Sequence, residues 1–274
     1  MAKKNINEMS FLDHLEDLRW HLIRATLAIV LVGSLAFIFS RSIFKLIIFA
    51  PIDMNFPTYG FLCKAATFIN VDTSFCADSL PMIIQSRTMA GQFSADIWTS
   101  ITAGFVISFP YVIYQFWKFI SPGLRTNERK SSRGFIIISS LLFFIGVLFG
   151  YYIVCPLSIN FLANYSVSEV VDNQIDISSY IGLVRATALA SGLVFELPII
   201  IYFLTKVGLV TPEFLKKYRK YALIIVLVLS AIITPPDIAS QIIVAIPILI
   251  LYQVSIYISK VVVRNQKRKE KKYV

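Results

Sequence analysis

Phe135-Ile-Ile-Ile-Ser-Ser-Leu-Leu-Phe-Phe-Ile-Gly-Val-Leu-Phe-Gly-Tyr-Tyr-Ile-Val-Cys-Pro-Leu157 runs for 23 residues without a charged side chain, directly after the basic stretch Arg129-Lys-Ser-Ser-Arg133. As an α-helix it is roughly 35 Å long, enough to cross the ~30 Å hydrocarbon layer of a bilayer. A helix half in water would carry polar residues along a whole face, and this run has only Ser139 and Ser140 side by side and two tyrosines near its end. Similar runs recur, and six spans are predicted, near Leu22–Phe39, Ile97–Ile120, Phe135–Leu157, Ser179–Thr205, Tyr221–Thr234 and Ile238–Ile258.

Composition agrees: 57% of residues are hydrophobic, 15% are charged, and mean hydropathy is +0.71. The chain reads as an all-α, polytopic membrane protein, one domain over 1–274. Strand alternation is missing from the long runs, which argues against a β-barrel. The first run is expected to stay as a span, since acids and bases share the stretch before it and no A-x-A site follows.

Of the 26 Lys and Arg residues, 21 fall at the N-terminus, in two alternate loops and in the tail 260–274. Positive residues collect on the cytoplasmic side, so both termini are predicted there. The net charge of +10 therefore marks orientation, and no nucleic-acid module accompanies it. The segment 40–96 becomes the first outer loop, expected to fold as a cap with short helices. Cys63 and Cys76 lie in it, and an oxidising compartment would allow either a disulfide or two free thiols. His14 and His21 are the only histidines, and no metal pattern, cofactor motif or catalytic constellation is present, so an enzyme is not expected.

Three acids precede the first span: Asp13, Glu16 and Asp17 in Ser10-Phe-Leu-Asp-His-Leu-Glu-Asp-Leu-Arg19. Residues 1–21 read as an amphipathic cytoplasmic helix with Phe11, Leu15, Leu18 and Leu22 as its apolar stripe. Asp13 suits a capping role after Ser10. Glu128 stands in the basic loop Leu124-Arg-Thr-Asn-Glu-Arg-Lys130. On charge alone these acids could simply relieve repulsion on a basic face. Glu196 differs, because it interrupts an apolar run and is followed by Pro198, where an ionised group costs several kcal/mol unless paired or wet. Arg185 is the other charged residue in that span. The fifth span, at 14 residues, is too short to cross alone, and Pro247 is expected to interrupt the sixth. Gly146 and Gly150 form a GxxxG pair suited to close helix contact.

Four motifs, taken in order, resemble those of TatC, the multi-spanning receptor subunit of the twin-arginine protein translocase. They are Phe11-Leu-Asp-His-Leu-Glu-Asp-Leu-Arg19, Tyr114-Gln-Phe-Trp-Lys-Phe-Ile-Ser-Pro-Gly-Leu124 leading to Glu128-Arg-Lys130, Phe195-Glu-Leu-Pro198, and Thr234-Pro-Pro-Asp-Ile-Ala-Ser-Gln241. The resemblance implies six helices in a cupped, glove-like arrangement in the bacterial inner membrane, the last two short. It implies binding of twin-arginine signal peptides of folded proteins, and a multimeric complex with small single-span subunits of the TatA and TatB type. Export would draw on the proton-motive force. The twin-arginine site would comprise Asp17 and Glu128, with Glu16 and Arg19 beside them. Glu196 would be an intramembrane polar site, and Pro235, Pro236, Asp237 and Gln241 the periplasmic turn between helices five and six. The family usually carries Glu where Asp17 stands, which keeps the charge and shortens the reach by one methylene.

Two other classes fit the composition. A small-solute transporter would use Glu196 but should show repeated halves, and no internal repeat is visible. A scaffold without a ligand would leave Glu196 unexplained.

Overall fold

The structure is a computed structural model describing residues 11–69, 76, 79–120, 132–168, 173–234 and 237–270. Its helices are α1 (Phe11–Ile38), α2 (Ser40–Ile43), α3 (Pro57–Ile69), α4 (Gly91–Ile120), α5 (Ser132–Phe149), α6 (Cys155–Asn164), α7 (Ile177–Phe195), α8 (Leu197–Lys206), α9 (Pro212–Lys217), α10 (Arg219–Ile233) and α11 (Ile238–Glu270). Two short strands, β1 (Ile83–Gln85) and β2 (Gln174–Asp176), pair in parallel, with Ile83 opposite Gln174.

Six stretches among the described residues are helical, long and apolar enough to cross a membrane: Leu15–Ile38, Ser40–Lys64, Gly91–Ile120, Gly134–Asn164, Ile177–Lys206 and Ser240–Arg268. Five coincide with predicted spans. Ser40–Lys64 lies in the region read as an outer loop, and it is a broken path: a π-helical stretch at Phe44–Ile48 gives way to a 3-10 turn at Ala50–Ile52. Asp53 Oδ1 then accepts from both nitrogens of Asn55 at 2.9 Å, turning the chain before α3. The predicted fifth span is α10, whose 15 residues rise only about 22 Å.

Two boundaries differ from the sequence expectation. The N-terminal amphipathic segment and the first span form one continuous 28-residue helix, α1, because no proline or turn sequence separates them. The interruption expected at Pro247 does not occur: α11 runs 33 residues through it. Val244, Ala245 and Ile248 are buried against Val154 and Val226 on either side of the proline, and packed neighbours hold a helix where one backbone bond is missing. Pro198 does break its helix. Glu196 ends α7 and Leu197 starts α8, with Pro198 in the first turn, where its missing N–H is harmless.

The chain groups into two compact units, Met1–Phe44 with Thr88–Leu141, and Lys45–Arg87 with Leu142–Val274. In the first, α1 and α4 run antiparallel. A Cβ on Gly104 would lie 2.8 Å from Gly33 Cα and 2.7 Å from Gly33 N, so the two backbones meet where Gly104 leaves no room for a side chain, and a Cβ on Gly33 would press on Ser100 O at 3.2 Å. Ser108 Oγ donates to Ala28 O at 3.2 Å one turn further along. Small residues allow this approach, which is how helices pack without a hydrophobic driving force between them.

In the second unit α5 and α7 meet the same way. A Cβ on Gly146 would lie 2.7 Å from Ser191 O, and one on Gly150 would overlap the Thr187 carbonyl. The GxxxG pair therefore packs against α7. Buried hydroxyls donate to carbonyls one turn back in their own helices, Ser230 to Val226 O and Thr187 to Leu183 O. Lys45–Arg87, most of the segment expected to form a cap, belongs to this unit. Cys63 and Cys76 are disulfide-bonded, Cα atoms 5.1 Å apart, Tyr180 Oη donates to Ile48 O at 2.7 Å, and Tyr151 Oη donates to Ile47 O at 2.8 Å.

Gly104→Leu is expected to lower the stability of the purified protein by about 1–3 kcal/mol through overpacking of the α1–α4 contact. Gly182→Ala, with open space around its Cβ position, should leave the thermal midpoint in detergent nearly unchanged.

Candidate functional site

The acidic turn sits at the exposed start of α1. Glu16, Asp17 and Arg19 are all exposed on the protein surface. One turn after Asp17, His21 Nδ1 lies 2.7 Å from Oε1 of Gln115 on α4, and the Gln115 side chain is buried. The imidazole also meets Phe119 edge-on at 6.5 Å. Together with the Ser108–Ala28 bond, these contacts set an antiparallel register that puts Asp17 level with Phe119, next to the end of α4 at Ile120.

Glu128 lies outside the described residues, as do Arg125 and Lys130. The helices on either side of it are described. Trp117, 5% exposed near the end of α4, packs with its ring centre 4.3 Å from that of Phe135 in the first turn of α5. The two ends of the connection carrying Glu128 are thus held side by side, at the end of the unit that also presents Asp17. An arginine fork needs a carboxylate it can meet in the plane of both N–H groups, and a pair of consecutive arginines needs two.

Glu196 lies in the other unit and is 7% exposed. It occupies the one-residue junction of α7 and α8, where its carbonyl accepts from Ile199 N at 2.9 Å and Ile200 N at 3.0 Å. The adjacent Phe195 ring packs against Phe149, ring centres 5.4 Å apart. Arg185 stands on α7 about 16 Å of helix rise away, with Nε donating to Ile181 O at 3.4 Å. A carboxyl at a helix break inside an apolar unit is a polar centre that the fold tolerates at one point.

Pro235 and Pro236 lie outside the described residues, but both flanks of their turn are well defined. Asp237 Oδ2 accepts from Ser240 N at 2.8 Å, capping α11. Gln241 Nε2 reaches across to Leu227 O on α10 at 3.0 Å, and Thr234 Oγ1 donates to Ser230 O at 2.8 Å. The Gln241 bond joins the short α10 to α11, and the other two tie down the facing helix ends.

Other features were missed in the sequence. The β1–β2 ladder is tied by Arg87, which donates from its guanidinium to Gln174 O at 2.7 Å and from its backbone N–H to Asp176 Oδ1 at 3.1 Å. The Arg87 backbone bond holds the Asp176 carboxyl below the ordinary carboxylate range. Gln115, a lone amide in an apolar run four residues from Phe119, was the signal for the α1–α4 register.

This arrangement defines a multi-pass helical membrane protein with an acidic, exposed helix end and a capped helical hairpin. Residues 13–247 match the family described as Sec-independent protein translocase protein (TatC). The chain belongs to that family, whose members are components of a protein translocase. It is 45% identical to the TatC protein of Blattabacterium sp. subsp. Periplaneta americana (strain BPLAN), over 94% of this chain and 97% of that one. The TatC protein of Aquifex aeolicus (strain VF5) is 33% identical over 96% of this chain and 100% of that one. The crystal structure of a twin arginine translocase receptor, TatC, is 32% identical, covers 91% of this chain and 99% of that chain, and superposes with a TM-score of 0.69.

Asp237→Ala removes the α11 cap and Gln241→Leu removes the bond to α10, each expected to cost about 1 kcal/mol. Faster amide hydrogen exchange at the start of α11 in either variant, with α1 unchanged, is the measurement that checks it.

Proposed function

We propose that this chain is the receptor subunit of a twin-arginine translocase and that Asp17 and Glu128 each hold one arginine of the signal peptide. The observation that carries the reading is the register of α1 and α4, which brings Asp17 level with the helix end from which the Glu128 connection departs. Glu16 is a second acceptor beside Asp17, and Arg19 sets the spacing of charge on the same turn. Bidentate guanidinium–carboxylate pairs favour arginine over lysine, since an ammonium supplies charge without the fork. The likeness to a crystallised twin arginine translocase receptor supports the same reading.

The orientation proposed is N-terminus and C-terminus in the cytoplasm of a bacterial inner membrane. The basic residues concentrated at the termini and alternate loops support it, as does the Cys63–Cys76 disulfide in the cap, which suits an oxidising outer compartment. Partners are small single-span Tat subunits of the TatA and TatB type, assembled into a multimeric complex around this chain, with transport driven by the proton-motive force. Glu196 serves as the intramembrane polar site. The 15-residue α10, at about 22 Å, is shorter than the ~30 Å hydrocarbon layer, so the bilayer thins around it where the complex assembles.

Co-purification with a twin-arginine precursor tests the receptor reading. The wild type should retain the precursor, and the Asp17→Ala, Glu128→Ala double variant should lose it by a factor of ten or more, from two charge-assisted contacts of about 1.5–3 kcal/mol each. Asp17→Glu should retain binding. Unchanged retention by the double variant would sink the assignment. Lengthening α10 by one turn should impair export while leaving precursor binding intact; normal export with the longer helix removes thinning as the mechanism.

A further inference from the structure

The corner between α8 and α10 carries a surface that none of these functions uses. Thr211 caps α9, its Oγ1 accepting from Phe214 N at 3.2 Å, and α9 then turns straight into α10. Along the outside of this corner three aromatic rings form a ladder, Phe214 to Tyr218 at 4.5 Å and Tyr218 to Tyr221 at 5.7 Å. They are 51%, 39% and 62% exposed. Lys216, Lys217 and Lys220 are exposed among them, with Lys217 Nζ 5.9 Å from the centre of the Tyr218 ring.

The inner side of the corner is fixed. Leu215 is buried with Ile201 and Ile256, and Tyr252 Oη donates to Leu215 O at 2.8 Å. The Arg219 guanidinium donates to Gln253 Oε1 on α11. Rings and lysines therefore sit on a rigid support. Past Tyr221 the exposed side chains become aliphatic: Leu223, Ile224, Ile225 and Val228 are 45–58% exposed along α10. From Lys206 to Pro236 the sequence holds one carboxylate, Glu213.

We infer that this corner is a binding site for the headgroup of an anionic phospholipid, with Lys216, Lys217 and Lys220 on the phosphate and the Phe214–Tyr218–Tyr221 ladder at the boundary of headgroup and acyl chain. Aromatic rings collect at that boundary because one part of the ring is apolar and another is polarisable or hydrogen-bonding. Lysines near an anionic membrane surface each strengthen attachment, by roughly fivefold. An acidic protein segment would match the lysines, but not a ring ladder that runs directly into an exposed aliphatic strip. The site pins one end of the shortest span to the headgroup layer. The inference rests on the chain crossing a membrane, and not on the signal-peptide reading.

Native mass spectrometry of the detergent-solubilised full chain, titrated with phosphatidylglycerol or phosphatidylcholine, tests it. The wild type should bind phosphatidylglycerol at least tenfold more tightly. The triple variant Lys216→Gln, Lys217→Gln, Lys220→Gln should lose that preference to within about threefold, and the matching Lys-to-Arg triple should keep it. Phe214→Ala with Tyr218→Ala, which leaves the charge alone, should weaken both lipids. A control triple at the far end of α11, Lys267→Gln, Arg268→Gln, Lys269→Gln, removes equal charge and should keep the preference. Equal loss in the control, unchanged binding in the corner triple, or displacement of the lipid by an equal concentration of inorganic phosphate would each overturn the proposal.

Discussion

In hydrocarbon a peptide N–H or C=O without a partner costs several kcal/mol, and nearly every feature of this chain follows from meeting that constraint inside the backbone. Long helices satisfy it throughout. Where the sequence departs from a regular helix, a local device restores the bonds. Pro198 sits in the first turn of the helix that follows the break at Glu196, the Gly150–Val154 turn widens to a π-helix, and Pro247 is held between buried neighbours. The buried hydroxyls of Ser230 and Thr187 return their hydrogen bonds to carbonyls of the preceding turn.

Once the helices exist, their association needs close backbone approach, because lipid tails are as apolar as leucine. Glycine supplies it at two crossings, Gly33 with Gly104 and Gly146 with Ser191. The first crossing also fixes a register. It sets the antiparallel register that ends with His21 on Gln115, and with it the position of the acidic turn beside the end of α4. The position of the helix ends is thus governed by residues three to five turns away.

The α10–α11 hairpin follows the same logic with too little length. A span of 15 residues is stabilised by what lies at its two ends: a capped turn tied by Asp237 and Gln241, and a corner anchored through Tyr252 and Arg219. A helix shorter than the hydrocarbon layer is costly for the lipid around it, which is the physical ground of the proposed thinning.

The sequence alone determined the membrane class, the place of most spans and the four motifs that mark the family, because uninterrupted apolar runs and short motifs are properties of neighbouring residues. It also singled out Asp17, Glu16 and Glu196, since a carboxylate before or within an apolar run stands out without any fold. Other features were not legible. The continuity of α11 through Pro247, the broken path of Ser40–Lys64, the β1–β2 ladder tied by Arg87 and the His21–Gln115 bond depend on partners distant in the chain. A single apolar run has the same pattern whichever helix covers it, so only tertiary packing decides which face meets which, and at what register the acidic turn comes to rest.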